Sequence, residues 1–260
     1  MRRITWLGHA TVLLETGPPA HVRLLTDPVL RGRVAHLRRH APTPGGTVAV
    51  DPVDAVLISH AHHDHLDRPS LRPLARAETE AIVPRGAGPL LRGLDFGGVR
   101  ELGAGDTAAV GGAEVAAVQA WHPTKRFPHR AEHDALGFLI ERVWFAGDTA
   151  LDPAMEQLRG RVDVALLPIW GWGPSLGPGH LDPTSAARAA ALVAPQVVIP
   201  IHWGTFLPLG TRWRHGAALS APAQAFAAQV GRAAPDVRVA TLAVGEALTL
   251  EEPRSAPASA

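Results

Sequence analysis

The residues that point most directly to chemistry are His60, His62, Asp64 and His65, spaced His-x-His-x-Asp-His within 58–67. They follow a nearly all-apolar run at 55–59. Such a run reads as a strand covered on both faces. Loops at strand ends sit at a sheet's rim, where sites form. Two histidines two apart can share one side of an extended backbone, and a following turn can swing Asp64 and His65 to a neighbouring point. One segment can then offer two ligands to each of two metal ions. Four ligands do not complete two sites. Three more candidates stand just after other apolar runs: His122 after 113–118, Asp148 after 143–145 and His202 after 197–201.

The chain has no cysteine, so disulfides and thiolate metal sites are excluded. Any metal must be held by nitrogen and oxygen. Zinc fits such donors best on affinity, and manganese or iron can load by availability. Two cations about 3.5–4 Å apart can share a bridging water, lower its pKa and clamp a substrate oxygen. Asp64 and Asp148 would then bind metal and orient the nucleophile.

Around this core stand weaker candidates. Asp27, before Pro28, is placed to take the outer N–H of a ligating histidine, as such rings usually need. His9, in Gly8-His9, is expected near the site. His63 and Asp67 are expected to face solvent. His180 precedes a helix start at Asp182-Pro183, and could bind an anion or protonate a leaving group. Lys125, the one lysine of the chain, and Arg126 could bind an anionic substrate group. Trp170 and Trp172, in a glycine-rich stretch, could form an apolar wall.

The elements that must position these residues alternate between strand and helix. Strands are expected at 4–7, 11–15, 22–25, 55–59, 81–83, 99–102, 107–110 and 113–118. A second series follows at 137–140, 143–145, 162–167, 197–201, 237–240 and 247–250. Helices are expected at 69–77, 153–158, 183–193 and 222–230, the third capped by Asp182. Two stretches read as irregular functional loops: 30–46, with Arg31, Arg33, Arg38 and Arg39, and 169–179. The arginines could face a membrane surface or a partner, or form a solvated face. Two similar halves imply two packed sheets with helices outside. Residues 1–250 read as one domain and 251–260 as a frayed tail.

Length and charge narrow the function classes. With 260 residues, 46% of them hydrophobic, the chain can bury a sizeable core. A net charge of +1 shows no nucleic-acid footprint. There is no apolar run of about 18 residues for a membrane span and no signal core behind the basic start, so a cytoplasmic location is expected. Oligomeric state is left open.

Taken together, His60-x-His62-x-Asp64-His65, His122, Gly147-Asp148-Thr149 and His202-Trp203-Gly204 resemble the pattern of the metallo-β-lactamase-fold hydrolases. The likeness runs from Trp6 to His202. Gly8-His9-Ala10-Thr11, Thr26-Asp27-Pro28, Leu167-Pro168-Ile169 and His180-Leu181-Asp182-Pro183 are similar to the branch of N-acyl-phosphatidylethanolamine-hydrolysing phospholipase D and L-ascorbate-6-phosphate lactonase. The resemblance implies a four-layered α/β fold, an αβ/βα sandwich with the metals at one edge. It implies His60, His62 and His122 on one ion, Asp64, His65 and His202 on the other, and Asp148 on both. The common zinc β-lactamases use a cysteine ligand, so antibiotic hydrolysis is disfavoured. RNA-processing relatives carry an inserted domain for which this chain has no room. The expected activity is hydrolysis of a phosphodiester or phospholipid-like ester. A lactone is the second choice, and a non-catalytic metal- or ligand-binding protein the third.

Overall fold

A computed structural model describes residues 1, 3–44, 52–124, 133–173 and 176–250. The 251–260 tail, Lys125 and Arg126 lie outside the described residues. The strands of the first half are β1 (Arg3–Trp6), β2 (Val12–Glu15), β3 (Arg23–Thr26), β4 (Arg33–Val34), β5 (Leu37–Arg39), β6 (Ala55–Leu57), β7 (Glu80–Pro84) and β8 (Gly98–Leu102). The rest are β9 (Thr107–Val110), β10 (Ala113–Gln119), β11 (Leu136–Ile140), β12 (Val143–Phe145), β13 (Val164–Pro168), β14 (Val197–Ile201), β15 (Phe206–Pro208), β16 (Arg238–Val239) and β17 (Ala247–Thr249). The helices are α1 (Arg68–Leu71), α2 (Pro183–Val193), α3 (Arg212–His215) and α4 (Ala221–Ala233).

Two seven-stranded sheets run β17-β1-β2-β3-β6-β7-β8 and β16-β14-β13-β12-β11-β10-β9. Ile4, Val12, Leu24 and Leu57 of the first meet Val115, Phe138, Phe145 and Ile199 of the second in one core. The first sheet's other face packs under Leu71, Leu74, Leu91 and Leu94. The second sheet's outer face is covered by α2 and α4, through Ala186, Ala190, Val193, Phe226 and Val230. This is the helix–sheet–sheet–helix order expected. Central strands β6, β11, β13 and β14 are buried throughout because helices cover one face and the partner sheet the other.

Parallel register brings the chemistry to one edge. Thr26 pairs with Leu57, so Asp27 and Ser59 emerge together. Phe145 pairs with Leu166 and Pro168 with Ile201, so Asp148 and His202 emerge on the neighbouring sheet. The Ser59 carbonyl, accepting from Leu136 N at 2.9 Å, ties the two edges together.

Two of these element expectations need correction and one needs its helix type. The helix expected over 69–77 stops at Leu71: Arg72 keeps helical backbone, but Pro73 carries no N–H to continue the ladder. The helix expected at 153–158 has those bounds, as a 3₁₀ helix capped by Asp152. The stretch 30–46 is not wholly irregular. It holds the β4–β5 hairpin, which β15 extends into a third sheet. Val29, Val34, Leu37 and Phe206 bury together beneath that sheet.

Candidate metal centre

Seven predicted ligands converge where the two sheets' edges meet. Ligand atoms of His60, His62 and His122 form one cluster, and those of Asp64, His65 and His202 form another, which His9 joins. Asp148 groups with His60 and His65, and also with His122 and His180. His60, His65, Asp148 and His202 are buried.

The outer nitrogens of four rings are tied down, and that fixes which nitrogen carries the proton. A carbonyl can only accept, so His122 Nδ1 donates to Gly179 O (2.8 Å) and His202 Nδ1 to Trp170 O (2.8 Å). His65 Nδ1 donates to the Asp27 carboxylate at 2.7 Å. The Ser59 hydroxyl spends its one proton on Asp27 Oδ2 (2.6 Å), so it accepts from His60 Nδ1 at 3.0 Å. In the neutral rings each Nε2 is therefore a bare lone pair aimed inward. His65 Nε2 and His202 Nε2 lie 3.1 Å apart, while His60 Nε2 and His122 Nε2 lie 3.0 and 3.1 Å from His62 Nδ1. Facing lone pairs at such distances repel unless a cation or proton sits between them. Among the described residues Asp148 Oδ1 is buried without a hydrogen-bond partner, although buried carboxylate oxygens are seldom left so. The donor set thus fits divalent ions.

The electrostatics agree. Burial lowers the pKa of His60, holds His122 at about 4 and holds His9 at about 3, keeping these rings neutral. Burial also pushes His65 down, but the carboxylates of Asp148, Asp27 and Asp64 outweigh it and raise His65 well above its ordinary value. Burial opposes ionisation of Asp64 and Asp148, yet nearby histidines, His65 and His9 foremost for Asp64 and His202 and His65 for Asp148, drive both well below the carboxylate range. Without an ion, this anionic pocket retains a proton on His65, and a bound cation would displace it.

Backbone strain collects here. His9, Asp27 and His202 have φ of 54°, 36° and 60°, a region non-glycine residues rarely adopt. Gly179, at φ +84°, presents its carbonyl to His122, and a Cβ there would lie 2.4 Å from Pro123 Cδ.

The weaker candidates separate. Asp27 is buried against His65 as expected. His9 goes further than expected, because its Nε2 reaches Asp64 Oδ2 at 3.0 Å. His180 lines the rim, its Nε2 3.7 Å from Asp148 Oδ2. Trp172 lines a cavity of about 280 Å³ with Val34, Leu37, His62, Asp64 and Asp148. Its indole N–H also donates to Asp64 Oδ2 at 3.1 Å. Trp170 does not line that cavity; its carbonyl serves His202. His63 is exposed, but Asp67 does not face solvent. It is buried as the α1 N-cap, accepting from Ser70 and from Arg31 at 2.7 and 2.8 Å. Arg39 is buried as well. It donates to Val29 O, lies over the Phe206 ring at 4.9 Å, and burial lowers its pKa to about 10. Sequence reasoning missed Ser59, whose position beside His60 was the available signal, and Thr205, whose hydroxyl accepts from His9 N at 2.7 Å.

A family model described as Beta-lactamase superfamily domain matches residues 22–203. The chain belongs to the metallo-β-lactamase superfamily. Within that superfamily it is a homologue of the UPF0173 metal-dependent hydrolases. One from Methanopyrus kandleri is 34% identical over 217 residues, which cover 80% of this chain and 86% of that protein. A Mycobacterium tuberculosis protein is also 34% identical over 221 residues, covering 78% of this chain. The match spans only 59% of that mycobacterial relative. Among solved structures, Igni18, a metallo hydrolase from Ignicoccus hospitalis, superposes with a TM-score of 0.71 at 22% identity, over 97% of this chain and 99% of its own. An isothiocyanate hydrolase from Delia radicum gut bacteria gives 0.71 at 20% identity, over 96% and 100%. At such identities these two structures speak for the superfamily fold alone.

In this superfamily member the Trp172 contact is testable. Trp172→Phe keeps the ring and removes the N–H that restrains Asp64. Metal affinity, measured by chelator competition, is expected to fall about tenfold while the fold holds. Unchanged affinity rejects a positioning role.

Proposed function

We propose that this chain is a dinuclear metal-dependent hydrolase acting on an ester. The observation that carries the reading is the inward-facing set of ring lone pairs around Asp148, whose Oδ1 has no hydrogen-bond partner among the described residues. His60, His62 and His122 would hold one ion, Asp64, His65 and His202 the other, with Asp148 reaching both. Zinc suits these donors best, with manganese or iron as alternatives. When bound, the ions would supply Lewis acidity and a water acidic enough to attack an ester at neutral pH.

The side chains do the rest. Asp27, Ser59 and the Gly179 and Trp170 carbonyls orient the rings. His9 and Trp172 both donate to Asp64 Oδ2 and fix its angle. His180 at the rim, its Nε2 3.7 Å from Asp148 Oδ2, would hand a proton to a leaving oxygen. Val34, Leu37 and Trp172 offer an apolar wall to the substrate's non-reacting part. A phosphodiester or phospholipid-like ester is the first choice of substrate: the charged group would meet the cations and the apolar group the wall. The cavity volume, about 280 Å³, favours a second reading, a compact lactone.

The test is a screen of purified, metal-analysed protein against bis-p-nitrophenyl phosphate, phospholipids, lactones and a β-lactam. Turnover of a phosphate ester or lactone is expected, lost on chelation and restored by zinc or manganese. Turnover by metal-free protein overturns the reading. So does metal loading with no ester cleaved, which would mark a non-catalytic metal-binding protein.

A further inference from the structure

A cationic face without acidic partners borders the cavity. Residues 28–50 and 202–235 contain no aspartate or glutamate, although the chain has 24 acidic residues. The third sheet joins these two segments. β5 pairs with β15 in the register Arg38 to Leu207, and with β4 so that Arg33 stands opposite Arg38. α3 follows directly and carries Arg212, Trp213 and Arg214. Burial, then the charges of Arg212 and Arg38, hold the His40 imidazole below its ordinary pKa, so both guanidinium groups lie near it.

Like charges directly opposite on neighbouring strands destabilise a sheet. Here that cost is not offset internally. Among the described residues, Arg33, Arg38, Arg212 and Arg214 make no ion pair, whereas Arg31 is held by Asp67 and Arg142 by Asp163. Between the exposed arginines stand two apolar side chains in open solvent: Trp213 is 85% exposed and Leu209 43%.

We propose that this face docks the protein onto an anionic phospholipid surface. Arg33, Arg38, Arg212 and Arg214 would lie over lipid phosphates, while Trp213 and Leu209 enter the headgroup region, the level at which amphipathic indoles settle. Val34, Ala35, His36 and Leu37, between Arg33 and Arg38, line the metal-site cavity, so docking sets its mouth beside the surface. A second copy meeting this face by two-fold symmetry would oppose cation to cation. A nucleic acid could stack on Trp213 but would leave Leu209 without a role. The docking needs no turnover, so it stands or falls apart from the hydrolase reading.

The test is co-sedimentation of the full chain with phosphatidylcholine vesicles, and with vesicles in which about a third of the lipid is phosphatidylglycerol. Binding is expected to the anionic vesicles alone, and to weaken as salt rises. Trp213→Ala and the double variant Arg212→Glu/Arg214→Glu should each weaken it by about tenfold or more. All three side chains are exposed, so melting temperatures should hold. Absence of binding at low salt overturns the proposal, as does equal binding by the double variant. So does a Trp213-dependent dimer or oligonucleotide complex formed without vesicle binding.

Discussion

Asp148→Asn is expected to bind metal ions at least about a hundredfold more weakly than the native chain, and to lose turnover by at least as much. Loss of a residue that merely hydrogen-bonds to a ligand typically costs 10–100-fold, and Asp148 stands within the proposed ligand set itself. Its Oδ2 lies 3.3 Å from both His65 Nε2 and His202 Nε2. Its Oδ1 is buried and has no hydrogen-bond partner among the described residues. Asparagine matches its volume, so packing should survive, but the charge is gone and an NH₂ donor replaces an acceptor oxygen. The readouts are metal content by mass spectrometry and affinity by chelator competition. The melting temperature gives a second check. Ions that bind only the folded state raise it in the native chain, and that rise should shrink in the variant. Native stoichiometry and affinity in Asp148→Asn would remove Asp148 from the proposed ligand set.

How legible the site was depended on where each residue sits. His60, Asp148 and His202 each follow a run of buried apolar residues, and such runs announce both a strand and its end. The same apolar continuity made β6 legible as a doubly covered strand, and β13 and β14 legible as strands. Less could be read where tertiary contacts override local pattern. β4, β5 and β15 are two or three residues long and rich in arginine and proline. They exist because Val34, Leu37 and Phe206 share one small core. Arg39 looked like surface charge, yet backbone carbonyls satisfy its guanidinium in the interior. His9 touches Asp64 across 55 positions, a pairing that no local spacing encodes. The Gly179 and Trp170 carbonyls, which fix two histidine tautomers, belong to a glycine-rich loop whose composition does not say which oxygen turns inward.

Asp27 should separate support of the fold from support of the metal, because two substitutions act on different parts of its hydrogen bonding. It is fully buried, with Oδ1 accepting from Ser59 N at 2.7 Å and Oδ2 from Ser59 Oγ and His65 Nδ1 at 2.6 and 2.7 Å. Asp27→Ala strands three buried donors. Removing one partner of such a buried pair costs about 3–5 kcal/mol. For a chain of this size that is a fall in melting temperature of roughly 10 °C. Asp27→Asn keeps an acceptor for Ser59 N but turns an NH₂ towards His65. A donor facing Nδ1 forces the ring's proton onto Nε2, the atom that points at His202 and Asp148. Metal affinity is then expected to drop about 10–100-fold, with a smaller loss of melting temperature in the metal-free protein than Asp27→Ala suffers. Native metal affinity in Asp27→Asn would mean that His65 does not present Nε2 to an ion, and the tautomer argument for the second cluster would fail with it.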